Sequence, residues 1–301
     1  MQKILNTLLL AVFIAVLLVT SRWVGHQAYS WMPTQGTAEA QKVDDLFSFL
    51  VAVGTFIFLG IVGLIMYSVL LYRVPKGDFS DGSPSRGNVK LEIVWTIVPV
   101  LFVMWIATQS YKIYQEIDIQ GLTPIVHLHI PMADEPANAA TEPTDVNNRA
   151  KPVALEVMVM AKQWSWAFRY PGNITSTELH LPVNETVRLK LQSQDVLHGF
   201  YVPEFRIKQD IIPNRTLNFT LTPLRVGKYR LRDSQFSGTY FPLMEADVYV
   251  ESSDAYNQWL TASASQQPSP AKNSAFSEHT LGAVRGWPTI VPAQPPIVNQ
   301  P

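Results

Sequence analysis

Residues 46–72 read LFSFLVAVGTFIFLGIVGLIMYSVLLY, a stretch without a single charged side chain. About 20 apolar residues in a helix cross a hydrocarbon core of roughly 30 Å, so this stretch predicts a transmembrane helix. A second uncharged run occupies residues 93–111. Because the two runs are joined by a short polar loop, they predict a transmembrane helical hairpin within residues 40–112.

A shorter apolar run at the N-terminus, residues 4–20, follows Lys3. Its length fits two alternatives for residues 1–22: a signal peptide, or a third transmembrane helix. Ser21, Arg22 and Trp23 form a poor small-x-small cleavage site. The sequence therefore leaves both alternatives open.

Charged residues around the hairpin predict its orientation. The loop between the two runs is basic, whereas Asp44 and Asp45 precede the first run. The basic residues of the loop include Arg73, Lys76, Arg86 and Lys90. Positively charged loops stay in the cytoplasm, so everything after Lys112 is expected on the periplasmic or lumenal side.

The second half of the chain has the pattern of an all-β domain. From residue 152, short β-branched segments alternate with turns that contain Pro, Gly and Asn, which predicts a Greek-key sandwich or barrel over 152–260. Residues 113–151 are interpreted as a connecting loop or insertion. Residues 261–301 are rich in Ser, Gln, Ala and Pro, and are predicted to form a disordered tail.

Composition excludes several classes of function. The chain has 23 basic and 24 acidic residues, so no bulk positive field favours nucleic acid. The chain contains no cysteine. This excludes disulfides, thiolate nucleophiles, Cys-type zinc sites and iron–sulfur clusters from this chain.

Three motifs, in order along the chain, resemble the cytochrome oxidase subunit II family. They are LEIVWTIVP at 91–99, QWSWAFRYP at 163–171 and DVLHGFYVPE at 195–204. The resemblance extends over about residues 40–260. It implies a transmembrane hairpin that carries a cupredoxin-like barrel and is held against a haem-copper subunit I.

In copper-bearing members of that family, a dinuclear copper centre is bound by one histidine and by a later loop of pattern Cys-x-Glu-x-Cys-x-x-x-His-x-x-Met. The six positions fall here on His198, Asp233, Gln235, Ser237, Phe241 and Met244. Only His198 and Met244 keep the family's type of ligand. Since both bridging thiolates are replaced, the resemblance implies that this chain binds no metal or other cofactor.

Two further residues acquire roles from the resemblance. Trp164 matches an aromatic residue associated with electron entry, and Glu92 matches a carboxylate at the mouth of a proton channel into subunit I. Each has a simpler alternative. Trp164 alternates with other aromatic residues and fits a core-facing strand, and Glu92 fits an ordinary polar residue at the end of a membrane span.

Loss of the copper pattern predicts a quinol-oxidising terminal oxidase that reduces oxygen to water. Its haems and copper are expected in subunit I, its partners are subunits I and III and membrane lipid, and its electron donor is a membrane quinol. This chain is expected to support subunit I and to contribute to proton uptake. The resemblance places it in a bacterial inner membrane or an intracellular respiratory or photosynthetic membrane.

Three alternatives stay open at this point. The chain could serve a cytochrome c oxidase with a degenerate copper site. It could be a non-catalytic paralogue for assembly or interaction. A periplasmic sensor or adaptor is the third class, although it has no use for a channel-mouth carboxylate at Glu92.

Overall fold

The computed structural model describes residues 2–73, 77, 87–116, 153–284 and 289–299. Most of the predicted connecting segment, 113–151, lies outside the described residues. The chain divides into two compact units. The first comprises Met1–Thr34 and Gln41–Tyr114, and the second comprises Gln35–Ala40 and Gln115–Pro301.

Among the described residues, three long helices make up most of the first unit: α1 (Gln2–Gln27), α2 (Ala38–Leu71) and α3 (Val89–Glu116). A single 3-10 turn, Ala28–Trp31, extends α1. In the part of the chain that the structure describes, three segments are long and apolar enough to span a membrane: Ile4–Trp31, Ala38–Leu71 and Val89–Lys112. The predicted transmembrane hairpin is therefore present as α2 and α3.

Helix α1 packs against α2. The Ser48 hydroxyl donates a hydrogen bond of 2.8 Å to the carbonyl of Gly25, and the Tyr29 hydroxyl donates one of 2.6 Å to Asp45 Oδ1. Leu17 and Ser21, on the same helix, are buried. The N-terminal run is therefore helical and long enough to span a membrane, while the choice between a signal peptide and a third transmembrane helix for residues 1–22 stays a prediction.

Within the described residues of the second unit, ten strands form two five-stranded sheets. They are β1 (Leu155–Lys162), β2 (Ser165–Arg169), β3 (Thr175–Ser176), β4 (Leu179–Pro182), β5 (Val187–Ser193), β6 (His198–Val202), β7 (Ile207–Ile211), β8 (Leu217–Leu221), β9 (Gly227–Asp233) and β10 (Glu245–Glu251). One sheet has the order β3-β2-β1-β5-β8, and the other has the order β4-β10-β9-β6-β7. The predicted all-β domain is confirmed, with side chains from both sheets forming one core.

A short segment between α1 and α2 also belongs to the β domain. The N–H of Gly36 donates to the carbonyl of Glu204 (2.8 Å), and the N–H of Leu224 donates to the carbonyl of Gly36 (2.8 Å). A side chain at Gly36 would meet the Phe205 ring, since an added Cβ would lie 2.8 Å from it. Glycine therefore allows the backbone to approach this closely.

The C-terminal extension is ordered wherever the structure describes it. It contains α4 (Ser253–Ala264), β11 (Ser269–Pro270), α5 (Ser274–Val284) and β12 (Ile297–Val298), and β11 pairs with β12. The predicted disorder over 261–301 does not hold for these parts. Small apolar side chains at Ala275 and Val298 are buried, which compensates for a composition typical of disorder.

Candidate functional site

The two sheet-forming segments that supply the site lie side by side. His198 begins β6 and Asp233 ends β9, and these strands are antiparallel neighbours. Gln235 and Ser237 follow in the loop after β9. Met244 follows the 3-10 turn Phe241–Leu243, and its carbonyl accepts a hydrogen bond of 3.1 Å from the N–H of Asp233. The structure thus gathers the positions predicted from family spacing.

His198 lies between two carboxylates in the interior. Its Nδ1 is 2.8 Å from Asp233 Oδ2, and its Nε2 is 2.9 Å from Asp195 Oδ1. The imidazole is 0% exposed. A carboxylate only accepts hydrogen bonds, so a ring that satisfies both partners donates from both nitrogens and is positively charged.

The pKa directions agree with a charged ring. Burial disfavours the charged form of His198, but the hydrogen bonds to Asp195 and Asp233 outweigh it and raise its pKa above the usual 6.5. Burial on its own would raise the pKa of Asp195. The hydrogen bond from His198 and those from the N–H groups of Gln163 and Val196 outweigh burial and lower this pKa below the usual 3.8.

These shifts fix the sign of the pH dependence. A raised histidine pKa stabilises the fold fully below pH 6.5, and this contribution is lost as pH rises through the folded-state pKa. A lowered carboxyl pKa stabilises the fold above pH 3.8 and is lost as pH falls through the folded-state pKa. The His198–Asp195 pair therefore stabilises the domain most between these two values.

Asp233 is the centre of the network, because its carboxylate accepts four hydrogen bonds. The donors are His198 Nδ1 (2.8 Å), Ser237 Oγ (2.7 Å), the N–H of Gly199 (2.7 Å) and the N–H of Gln235 (3.0 Å). A carboxylate offers about four acceptor positions. The side chain in the place of the first bridging thiolate is therefore fully occupied by protein donors.

The remaining predicted positions surround this network. Gln235 Nε2 donates to Asp210 Oδ1 at 2.6 Å, and Met244 is buried, with its carbonyl accepting from Trp166 Nε1 at 3.1 Å. The side chain of Phe241 has no polar atom, and its ring lies edge-on 5.3 Å from that of Phe236. Within the described ranges, no group of three or more His, Cys, Asp or Glu could hold a metal ion.

Sequence reasoning missed two carboxylates of the network, Asp195 and Asp210. The only sequence signal for Asp195 was its place three residues before His198, within the same motif. Asp210 lies on β7, and only the fold brings it to Gln235. Neither was identifiable from residue type and spacing alone.

Trp164 is buried, with 1% of its surface exposed. Its Nε1 donates to the Ser237 carbonyl at 3.1 Å, and its ring meets that of Tyr240 edge-on at 5.1 Å. Trp166, Phe168 and Tyr170 are also buried. The aromatic stretch therefore packs in the core, but Trp164 lies in the turn between β1 and β2 and not on a strand. The role of Trp164 in electron entry stays a prediction.

Glu92 lies in the first turn of α3, where its side chain is exposed. Asn88 caps this helix: its Oδ1 accepts from the N–H of Lys90 at 3.1 Å, and its carbonyl accepts from the N–H of Glu92 at 2.9 Å. The cap fixes where the helix begins. Its role in proton entry stays a prediction.

Two family models match the chain. The transmembrane domain of cytochrome c oxidase subunit II matches residues 21–113, and the periplasmic domain of the same subunit matches residues 174–251. Cytochrome c oxidase subunit 2 of Synechocystis sp. is 31% identical over 293 residues, which cover 90% of this chain and 85% of that protein. The chain belongs to the cytochrome c oxidase subunit II family. As a member, it is subunit II of a haem-copper terminal oxidase, integral to the membrane, with a periplasmic β domain.

Relatives in this subunit II family are named after different electron donors. Cytochrome c oxidase subunit 2 of Thermostichus vulcanus is 33% identical over 291 residues, which cover 88% of each chain. Quinol oxidase subunit 2 of Bacillus subtilis is 24% identical over 239 residues, which cover 77% of this chain and 66% of that protein. Family membership alone therefore does not fix the electron donor of this subunit II.

Among solved structures, the periplasmic domain of subunit II of the Bradyrhizobium japonicum cytochrome oxidase is similar to this subunit II. The identity is 23%, the match covers 37% of this chain and 94% of that domain, and the TM-score is 0.36.

Proposed function

We propose that this subunit II serves a quinol-oxidising enzyme, in which electrons reach subunit I from a membrane quinol and not through a copper pair in the β domain. One observation carries the proposal: at the copper positions, the side chains of Asp233 and His198 are fully engaged with each other, with the Asp195 carboxylate and with protein donors. The haems and the copper of oxygen reduction belong to subunit I. Subunits I and III and membrane lipid are the partners.

The side chains at the six positions do not fit a dinuclear copper centre. Copper(I) prefers soft thiolate and thioether ligands, and two coppers need bridging atoms. Asp233 and Ser237 offer hard oxygens, and the Ser237 hydroxyl already donates to Asp233. Both nitrogens of His198 face carboxylates at 2.8–2.9 Å, and Phe241 has no ligating atom. No electron step is therefore assigned to metal in this domain.

The proposal follows from where the two kinds of donor deliver electrons. A soluble cytochrome c docks outside the membrane and needs a relay near the docking surface. A quinol is oxidised from within the bilayer and needs no relay in the periplasmic domain. With the relay positions occupied by an ion network, the β domain is left to cover and support subunit I.

A cytochrome c oxidase with another electron route is the second candidate. It is favoured by one observation, since the relatives with 31–33% identity over most of the chain are named cytochrome c oxidase subunit 2. Overall identity reflects the whole scaffold, however, whereas the donor depends on a few positions. A role in assembly alone requires that the chain be absent from the active enzyme.

The donor is tested on the purified oxidase that contains this chain. Oxygen consumption is measured with a short-chain quinol and with reduced cytochrome c, and copper is quantified in the same sample. We expect the quinol to support a rate about tenfold or more above cytochrome c, and copper to match the content of subunit I alone. A higher rate with cytochrome c, or additional tightly bound copper, would refute the proposal.

Replacement of Glu92 by glutamine tests the proposed contribution to proton uptake. The amide keeps the size of the side chain but cannot carry a proton, so quinol-driven oxygen consumption is expected to fall about tenfold. The control is Lys90→Gln, a neutralising change in the same helical turn. Unchanged turnover together with unchanged haem reduction kinetics in Glu92→Gln would remove Glu92 from the proton path.

A further inference from the structure

The C-terminal extension reaches back to the loop that follows β9. His279, on α5, lies with its Nδ1 3.4 Å from the Tyr240 hydroxyl, and Thr289 Oγ1 lies 3.1 Å from the same hydroxyl. His279 Nδ1 and Thr289 Oγ1 are themselves 2.9 Å apart. Tyr240 is the ring that packs edge-on against Trp164. The extension thus holds one neighbour of Trp164.

Gln163 connects the extension to both sides of the His198 network. Its carbonyl accepts a hydrogen bond of 2.7 Å from the N–H of Ala293. Its side-chain Nε2 donates to the Ser237 carbonyl at 2.6 Å, and its own N–H donates to Asp195 Oδ2 at 2.7 Å. One residue therefore contacts the extension, the loop after β9 and a carboxylate that pairs with His198.

The extension has its own anchors on the β domain. The N–H of Asn299 donates to the carbonyl of Thr175 at 2.6 Å, and the side-chain oxygen of Asn299 accepts from the N–H of Thr175 at 3.2 Å. Ala275 is 0% exposed and Val298 is 1% exposed. Fixed at these points, the extension can restrain the groups it touches between them.

The loop itself packs tightly on Trp164 at Gly238. This residue has a φ of +116°, and an added Cβ would lie 2.7 Å from the Trp164 ring. The position therefore requires glycine for both conformation and space. A small outward movement of the loop would separate Gly238 and the Ser237 carbonyl from the indole and open it to water.

We propose that α5 and residues 289–299 form a clamp that positions the loop 234–243 through Gln163 and Tyr240 and keeps Trp164 buried. A metal ion that is bound by two residues of one loop cross-links that loop and restrains its backbone. In a domain whose loop side chains do not fit a metal, the clamp supplies restraint from outside. This inference goes beyond the proposed function and holds for either electron donor.

The test removes one hydrogen bond of the clamp in the intact oxidase. Ala293→Pro deletes the N–H that donates to Gln163, within a segment that already contains Pro292, Pro295 and Pro296. Amide exchange over 234–243 is expected to rise about threefold to tenfold. Oxidation of the Trp164 side chain in hydroxyl-radical footprinting is expected to rise with it, while exchange in β1 and β5 stays unchanged.

The matched control is Val291→Pro. Val291 is exposed, and its N–H makes no hydrogen bond to the parts of the chain that the structure describes. The Val291→Pro variant introduces a proline into the same segment as Ala293→Pro does. It is expected to leave amide exchange and footprinting as they are in the unaltered oxidase. Equal values for Ala293→Pro and Val291→Pro would overturn the clamp.

If Ala293→Pro prevents assembly, Tyr240→Phe decides by the same readouts. It keeps the ring against Trp164 and removes only the hydroxyl that contacts His279 and Thr289. Its control is Tyr201→Phe on β6. Faster exchange over 234–243 in Tyr240→Phe alone supports the clamp, and no change overturns it. Neither readout depends on the donor or on copper, so failure here is distinct from failure of the proposed function.

Discussion

Replacement of Asp233 by alanine is expected to lower the free energy of unfolding by about 3–5 kcal/mol, the usual cost of removing one partner of a buried ion pair. The variant leaves His198 charged and buried with Asp195 as its one remaining carboxylate partner in the network. It also orphans the Ser237 hydroxyl and the N–H groups of Gly199 and Gln235. Thermal unfolding of the full-length chain in detergent, followed by near-UV circular dichroism, should show a Tm lower by about 6–20 °C.

Asp247→Ala is the matched control on the neighbouring strand. Asp247 pairs with Lys228 at 2.8 Å and with Arg230 at 3.4 Å, both exposed at the surface, where solvent screens the interaction. Its Tm should stay close to that of the unaltered chain. A second readout is pH: the unaltered chain should lose stability as pH rises above 6.5, and Asp233→Ala should lose less. Equal effects of the two substitutions would contradict a central role for Asp233.

Restoration of the family's ligand pattern is expected to create a copper site. The variant combines Asp233→Cys, Gln235→Glu, Ser237→Cys and Phe241→His. The loop already has the required spacing, and the remaining ligand positions, His198 and Met244, are buried beside it. Two thiolates would replace hard oxygens and release the His198 Nδ1 from its carboxylate. After copper loading, the variant should hold copper stoichiometrically and show visible thiolate-to-copper absorption, whereas the unaltered chain should show neither.

A variant with only Gln235→Glu and Phe241→His is the control, because it adds an imidazole and a carboxylate without thiolates. It should remain free of tightly held copper. If the four-residue variant folds and still takes up no copper, the loop does not keep the backbone geometry of a copper-binding loop, although its length matches the family pattern. Stoichiometric copper in the unaltered chain would instead refute the copper-free proposal directly.

The helices and most strands were predictable because one physical signal controls each of them. Long uncharged runs predicted α2 and α3. Short β-branched segments that alternate with turn residues predicted the all-β domain. Strand β7 carries a weaker sequence signal, because the charged residues Lys208 and Asp210 interrupt its apolar positions. In the fold, Ile207, Gln209 and Ile211 face inward, so its alternation includes a buried amide that composition does not reveal.

The C-terminal extension was misjudged for a different reason. Its Ser, Gln, Ala and Pro content is typical of chains that cannot build a core of their own. Ala275 and Val298 are buried within the β domain, and Asn273 caps α5 by accepting from the N–H of Phe276 at 3.0 Å. Order there depends on tertiary contacts, which no local pattern contains.

The candidate site was located by family spacing, but its chemistry was not predictable. His198 and Asp233 lie 35 residues apart in the chain, yet His198 Nδ1 and Asp233 Oδ2 are 2.8 Å apart in the fold. The sequence indicated which metal ligands were missing. That the replacements form a charged, mutually satisfied network became apparent only when β6 and β9 were seen as neighbours. Asp195 and Gln163 then acquired roles that their residue types alone did not suggest.

Backbone hydrogen bonds join Gly36 and Ala38 to the barrel, so the periplasmic domain is built from two separate stretches of the sequence. A soluble fragment that starts after α3 would omit these residues. It would leave the Glu204 and Thr222 carbonyls without their partners and would uncover the Phe205 ring. Exposed backbone edges beside an aromatic ring invite self-association. Recombinant production of this domain is therefore expected to succeed best when residues 35–40 are supplied, by fusion or by circular permutation.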